Sequence, residues 1–163
     1  MKISEDHAYT HSTDSLYALF TDSNEVEAKQ EALGAREIDV LDCEQDEAGA
    51  VVRFVRELPA DVPGILSRFL QPWNRVEQSE RWQVSDGDSY ECELDIDIAN
   101  VPVTVEGTLE LKPTDDGCVN EVRLIVECGI PFVGKALAEF VAADCNRLIA
   151  DEYEYLVERL SRA

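Results

Sequence analysis

The chain has 163 residues, the length of one domain, and its 45% hydrophobic content is enough to build a core without disulfide or metal staples. Against 14 basic residues stand 35 acidic ones, a net charge of -21 that repels phosphate backbones and anionic lipid headgroups and excludes nucleic acid as the expected partner. The start, MKISEDHAYTHS, lacks the basic and apolar segments of a signal peptide, and nowhere do about 18 apolar residues run together, so a cytoplasmic protein without integral membrane association is expected. Cys43, Cys92, Cys118, Cys128 and Cys145 form an odd set without a C-x-x-C pair, which points to no zinc knuckle and no complete disulfide framework. Most are expected to be small buried hydrophobes.

Residues 2 to 10 read as a first strand. Ser12 then precedes Leu16, Leu19 and Phe20, and its hydroxyl predicts the cap of a helix over about residues 13 to 22. Asn24 with Glu27 repeats the capping pattern ahead of Val26 and Leu33, and Gly34 ends this second short helix. Beyond it the period drops to two. Residues 37 to 44 and 51 to 58 flank the turn-like Gln45 to Gly49, a hairpin signature. Pro59 and Pro63 break the pattern, and Ile65, Leu66, Phe69 and Leu70 predict a short helical loop or apolar lid. Strand patterning resumes over residues 73 to 85, 89 to 98, 103 to 112 and 118 to 128. Its clearest stretch sets Tyr90, Cys92, Leu94, Ile96 and Ile98 against Glu91, Glu93, Asp95 and Asp97. After Gly129 to Pro131 comes a helix of about 30 residues, some 45 Å long. Its apolar stripe contains Leu137, Phe140, Val141, Leu148, Ile149, Tyr155, Leu156 and Leu160. A helix of that length has only the sheet to lie on.

The segment Ala8-Tyr-Thr-His-Ser-Thr-Asp-Ser-Leu-Tyr-Ala-Leu-Phe-Thr-Asp22 resembles the first strand and helix of the START-like superfamily, the SRPBCC or helix-grip group of polyketide cyclases and lipid-transfer proteins. Val126-Glu-Cys-Gly-Ile-Pro-Phe-Val-Gly-Lys135 is similar to the passage from last strand to long helix in an uncharacterised bacterial branch of that group. The resemblance covers residues 1–163 as one domain. It implies an α+β fold in which a curved antiparallel meander of about seven strands, in the order β-α-α-β6-α, wraps around the C-terminal helix. It also implies a largely apolar cavity between sheet and helix that takes a lipid or polyketide-like molecule. No catalytic residue transfers with it, because the superfamily shares no catalytic set.

The strand from Trp73 to Ser85 departs from clean alternation. If Trp82 and Val84 face inward with Val76, then Asn74, Gln78 and Glu80 share that face, and a carboxylate buried there needs a partner. Arg56, on the face of Val52 and Phe54 in the preceding strand, is the expected one. Arg56, Gln78 and Glu80 are thus expected to form the polar end of an apolar pocket, with a surface pair on an edge strand as the alternative. A register shift of one residue would reverse the assignment.

Other constellations fail on geometry. His7 and His11 stand about 13 Å apart on a strand, no G-x-S-x-G elbow is present, and the glycines form no phosphate cradle. Asp144, Arg147 and Asp151 read as an ion-paired helix face. No metal and no cofactor is implied.

Three functions fit this pattern. The first is binding or carriage of a hydrophobic small molecule, with Phe54, Arg56, Gln78, Glu80, Trp82, Tyr90, Leu94, Phe140 and Leu148 as the expected ligand-binding residues. The second is an enzyme of the cyclase, dehydratase or hydrolase kind, in which Glu80 or Tyr90 transfers protons and Arg56 stabilises negative charge. The third is a protein-interaction module with a closed cavity, marked by exposed Ile65, Leu66 and Phe69.

Overall fold

The computed structural model describes residues 1–162. Strand β1 (Lys2–Tyr9) leads into helix α1 (Thr13–Thr21), where the Ser12 hydroxyl accepts the Ser15 N–H as expected. Helix α2 (Ser23–Ala32) follows at once. Its cap is Asp22, whose carboxylate accepts the Glu25 N–H at 2.9 Å, and not Asn24. The helix starts earlier than expected because one extended residue, Asp22, both closes α1 and opens α2.

Six strands then run as a meander: β2 (Arg36–Gln45), β3 (Gly49–Pro59), β4 (Trp73–Ser85), β5 (Ser89–Ile98), β6 (Thr104–Thr114) and β7 (Gly117–Glu127). With β1 they form one antiparallel sheet in the order β1-β7-β6-β5-β4-β3-β2. The long helix α3 (Gly134–Ser161) has 28 residues. This is the expected α+β helix-grip architecture. The segment between β3 and β4 is less helical than its apolar spacing predicted, with a single 3-10 turn at Gly64–Leu66.

One face of the sheet carries the core. Val52 and Phe54 of β3, Val76 and Trp82 of β4, Cys92 and Leu94 of β5, and Val122, Leu124 and Val126 of β7 are buried, while most of their neighbours in sequence are turned toward water. The inward run of β4 ends at Trp82. Val84 is exposed, because the strand has by then passed the β2–β3 turn, where its N–H bonds the Ala48 carbonyl. All five cysteines are free thiols, Cys92 and Cys118 buried and the other three half-buried.

Helix α3 is tied to the elements around it through its C-terminal half. Tyr153 stacks on His7 of β1 at 4.3 Å and donates its hydroxyl to the Ala8 carbonyl, while Arg159 makes a two-pronged ion pair with Glu25 of α2. The Asp144–Arg147–Asp151 ion pairs form along the helix as expected.

A close approach of two strands shows at Gly107 in β6. A Cβ there would lie 2.0 Å from the Arg123 carbonyl oxygen of β7, so only glycine allows the strands to come this near. Gly107→Ala is expected to cost about 2 kcal/mol or more in urea unfolding, and a loss under about 0.5 kcal/mol would show that the sheet yields freely there.

Candidate functional site

The inner face of β4 carries Gln78 and Glu80 between Val76 and Trp82, and the pairing with β3 sets what stands beside them. Val52 lies opposite Glu80, Phe54 opposite Gln78 and Arg56 opposite Val76. β4 is an interior strand between β3 and β5, so the edge-strand alternative does not apply. Arg56 is 5% exposed and Glu80 3%.

These groups form a chain of hydrogen bonds. Arg56 Nη2 donates to Gln78 Oε1 at 3.0 Å, Gln78 Nε2 donates to Glu80 Oε2 at 2.6 Å, and the Trp82 indole N–H donates to Glu80 Oε1 at 3.0 Å. The expected direct pair of Arg56 with Glu80 is therefore absent: Gln78 stands between them. Arg56 also reaches the Val76 carbonyl at 3.4 Å, and its Nε–H has no partner.

A second buried polar pair adjoins the first. Lys29 of α2, 5% exposed in its side chain, binds Glu152 of α3 at 3.1 Å, and its ammonium sits 4.5 Å from the centre of the Phe20 ring. Neither residue is among those expected from the sequence. A signal exists nonetheless, since Lys29 and Gln30 fall three and four residues after Val26 on the apolar stripe of α2, and Glu152 three after Ile149 on that of α3.

Two adjoining cavities lie between sheet and helix, of about 90 and 80 Å³, with Leu33, Arg56, Ile96, Cys145 and Leu148 common to both. The outer one is walled largely by carbon, including Leu58, Ile98, Val105 and Phe140, with Asp144 and Arg147 at its α3 side. The inner one holds Gln30, Gln78, Glu80 and Glu152 together with Leu94 and Leu124.

Of the residues expected at the site, Arg56, Gln78, Glu80, Leu94, Phe140 and Leu148 are brought to these cavities. Phe54 and Trp82 are buried behind them, Phe54 under the Arg56 guanidinium and Trp82 bonded to Glu80. Tyr90 is not brought there. It stacks on Tyr17 at 3.9 Å and bonds Asp14 of α1, outside both cavities, because its position on β5 lies beyond Cys92 and Leu94 toward the helical corner. The expected signature of an interaction module is also incomplete: Ile65 is exposed, but Leu66 is buried and Phe69 half-buried. Phe132, just before α3, is fully exposed and has no distinguishing pattern in sequence.

Burial dominates the titration of these groups. It holds the Glu80 carboxyl above its ordinary range, against the downward pull of the Lys29 charge and of the bonds from Trp82 and Gln78. Burial lowers Arg56 to about 10, which leaves it cationic at neutral pH. The Cys145 thiol is pushed up to about 11 by burial, and lines the cavities as a neutral group. Burial and the Asp14 bond push Tyr90 up to about 12, which leaves its phenol neutral near neutral pH.

The fold is that of the START-like, helix-grip proteins. A protein of Thermus thermophilus superposes with a TM-score of 0.70 at 18% identity, covering 99% of this chain and 98% of that one. A STAR-related lipid transfer protein of Xanthomonas axonopodis gives 0.58 at 10% identity, covering 93% and 85%. Norcoclaurine synthase of Thalictrum flavum gives 0.56 at 17% identity, covering 96% and 86%. Residues 4–160 match the family described as Protein of unknown function (DUF2505), and the chain belongs to that family. No curated protein matches the sequence. Among the described residues no helix is long and apolar enough to cross a membrane.

The two buried polar groups give distinct expectations. Lys29 is closed to water whereas Glu152 is a quarter exposed, so Glu152→Gln, which strands a buried ammonium, should cost roughly 2–3 kcal/mol in urea unfolding and Lys29→Met clearly less. The reverse order would mean that the carboxylate is the poorly solvated partner.

For Glu80 the pH dependence has a definite sign. An acid with a raised folded-state value holds its proton more tightly in the folded chain than in the unfolded one. Its share of stability is complete below about pH 4 and is lost as pH rises through the folded value. Glu80→Gln cannot ionise, so its melting temperature relative to wild type should rise between about pH 4 and pH 7. A difference that stays flat would place Glu80 in contact with bulk water.

Proposed function

We propose that this protein binds a small hydrophobic molecule between the inner face of the sheet and the middle of α3. The observation that carries this reading is the pair of adjoining cavities beneath α3, walled by carbon at one end and closed by Arg56, Gln78 and Glu80 at the other. Ligand sites combine an apolar wall with a few convergent polar groups that fix orientation, and this one has that composition. The structural similarity to a STAR-related lipid transfer protein supports a carrier or binding role. On this reading Leu94, Phe140 and Leu148 touch the ligand body, Arg56, Gln78 and Glu80 address its polar end, and Phe54 and Trp82 hold the polar row in place.

A second reading is favoured by one observation. Glu80 faces a cavity with its carboxyl held above the ordinary range, the direction of shift that suits a general acid, and the similarity to norcoclaurine synthase supports an enzyme on this fold. Here Arg56 would stabilise negative charge formed on the substrate. Both readings need the cavity to be occupied.

Leu148 lines both cavities from α3, which makes it the residue whose enlargement tests the reading most directly. In calorimetric titrations with 1-hexanol, a probe small enough for these cavities, the wild type is expected to bind saturably. Leu148→Trp should reduce binding about tenfold or more while leaving the far-ultraviolet dichroism unchanged. Equal binding by a folded Leu148→Trp variant would move the ligand site elsewhere.

A further inference from the structure

We infer that the ligand is a compact carboxylic acid, its carboxylate held by Arg56 where the two cavities meet and its apolar body lying in the outer one. This rests on the cavity being the binding site and adds the chemical class of what enters it.

The first support is an unfilled donor. Arg56 is enclosed, lines both cavities, and leaves its Nε–H without a partner, while one of its two remaining bonds is long at 3.4 Å. Guanidinium groups offer five N–H donors in a planar fork that matches a carboxylate. An enclosed donor left empty costs free energy, and a small turn of the guanidinium, giving up the long 3.4 Å bond to Val76, lets a ligand oxygen remove that cost on binding.

The second support is the distribution of charge. Among the described residues Arg56 makes no ion pair: Gln78 separates it from Glu80, and both Glu80 oxygens already accept bonds from Gln78 and Trp82. Glu152 is occupied by Lys29. Of the cations at and beside the two cavities, Arg56 is thus the one without a direct counter-charge, since Arg147 pairs with Asp144. A carboxylate at Arg56 completes the set.

Size sets the third condition. The cavities, of about 90 and 80 Å³, are far below the several hundred Å³ of sites for drug-sized ligands. An apolar protein cavity of about 150 Å³ accepts a benzene ring. The fitting ligand is therefore a short-chain acid with a body smaller than a ring, not a sterol or a full-length diacyl lipid. Leu58, Ile98, Val105 and Phe140 supply the apolar contact for its body.

The test is calorimetric titration of the full chain with hexanoate and with 1-hexanol, which share a body and differ at the head. Wild type should bind hexanoate about tenfold or more tightly than 1-hexanol, the ratio expected for a hydrogen-bonded charged group over a neutral one. Arg56→Gln should remove that preference. Arg56→Lys, which keeps the charge and covers the event that the glutamine variant fails to fold, should retain part of it. Equal or tighter binding of 1-hexanol by wild type overturns the carboxylate assignment and leaves the cavity reading standing. If neither six-carbon ligand binds, both the assignment and the cavity reading fall.

Discussion

Helix α3 is buried at its ends and not in its middle. Gly134, Leu137, Ala138, Val141 and Ala142 are buried near its start and Leu156 and Leu160 near its end, but no residue from 143 to 155 is. The cause is geometric: a coiled sheet and a helix about 42 Å long cannot stay in contact along their whole length. Contact at both ends leaves a gap between them. Side chains in that gap, Cys145, Leu148, Ile149 and Glu152, line the inner cavity instead of packing on the sheet. The fastening of α3 by Tyr153 on β1 and by Arg159 on α2 keeps the gap from closing by a slide of the helix.

Enclosed charges are the costly element of this design, and their arrangement limits the cost. Lys29 and Arg56 are the two buried cations among the described residues. Lys29 has a direct counter-charge in Glu152 and an aromatic face in Phe20, which together replace much of the lost hydration. Glu80 has neutral donors on both oxygens, and burial favours its protonated form. Of these charged groups Arg56 alone keeps an unfilled donor, beside the Phe54 ring and the ends of two cavities. A chain selected only for stability would replace that arginine with an aliphatic residue. Its presence where both cavities meet marks a place where local stability has been given up, which is where function is most often found in folded proteins.

Most of the fold was legible in the sequence because it depends on patterns of period two and 3.6. The alternation from Tyr90 to Ile98 fixes which face of β5 is wet, and with β5 fixed the meander leaves little freedom for its neighbours. Arg56, Gln78 and Glu80 were legible as violations of the same alternation. The role of Gln78 as the bridge was not, since strand patterning fixes faces but not which side-chain atoms meet. Lys29 and Glu152 were harder still, because helices α2 and α3 lie far apart in sequence and only the packed fold shows that their two stripe violations point at each other. Val84 and Tyr90 depart from expectation because alternation assigns a face and not what covers it: Val84 is left exposed, and Tyr90 packs on Tyr17 of α1 instead of reaching the cavities, both tertiary properties.

The acidic exterior and the cationic point inside are compatible. The charge of -21 is spread over a surface where salt screens beyond about 8 Å, and the exposed ion pairs, such as Arg81 with Glu93 and Lys112 with Glu121, sit on the solvated face of the sheet. That field slows the approach of an anion without setting its final affinity. Arg56, enclosed by Phe54, Ile96 and Leu148, acts through a medium of much lower polarisability, where a charge at contact outweighs many distant ones. The exterior therefore governs how fast a charged ligand arrives, and the buried guanidinium governs whether it stays.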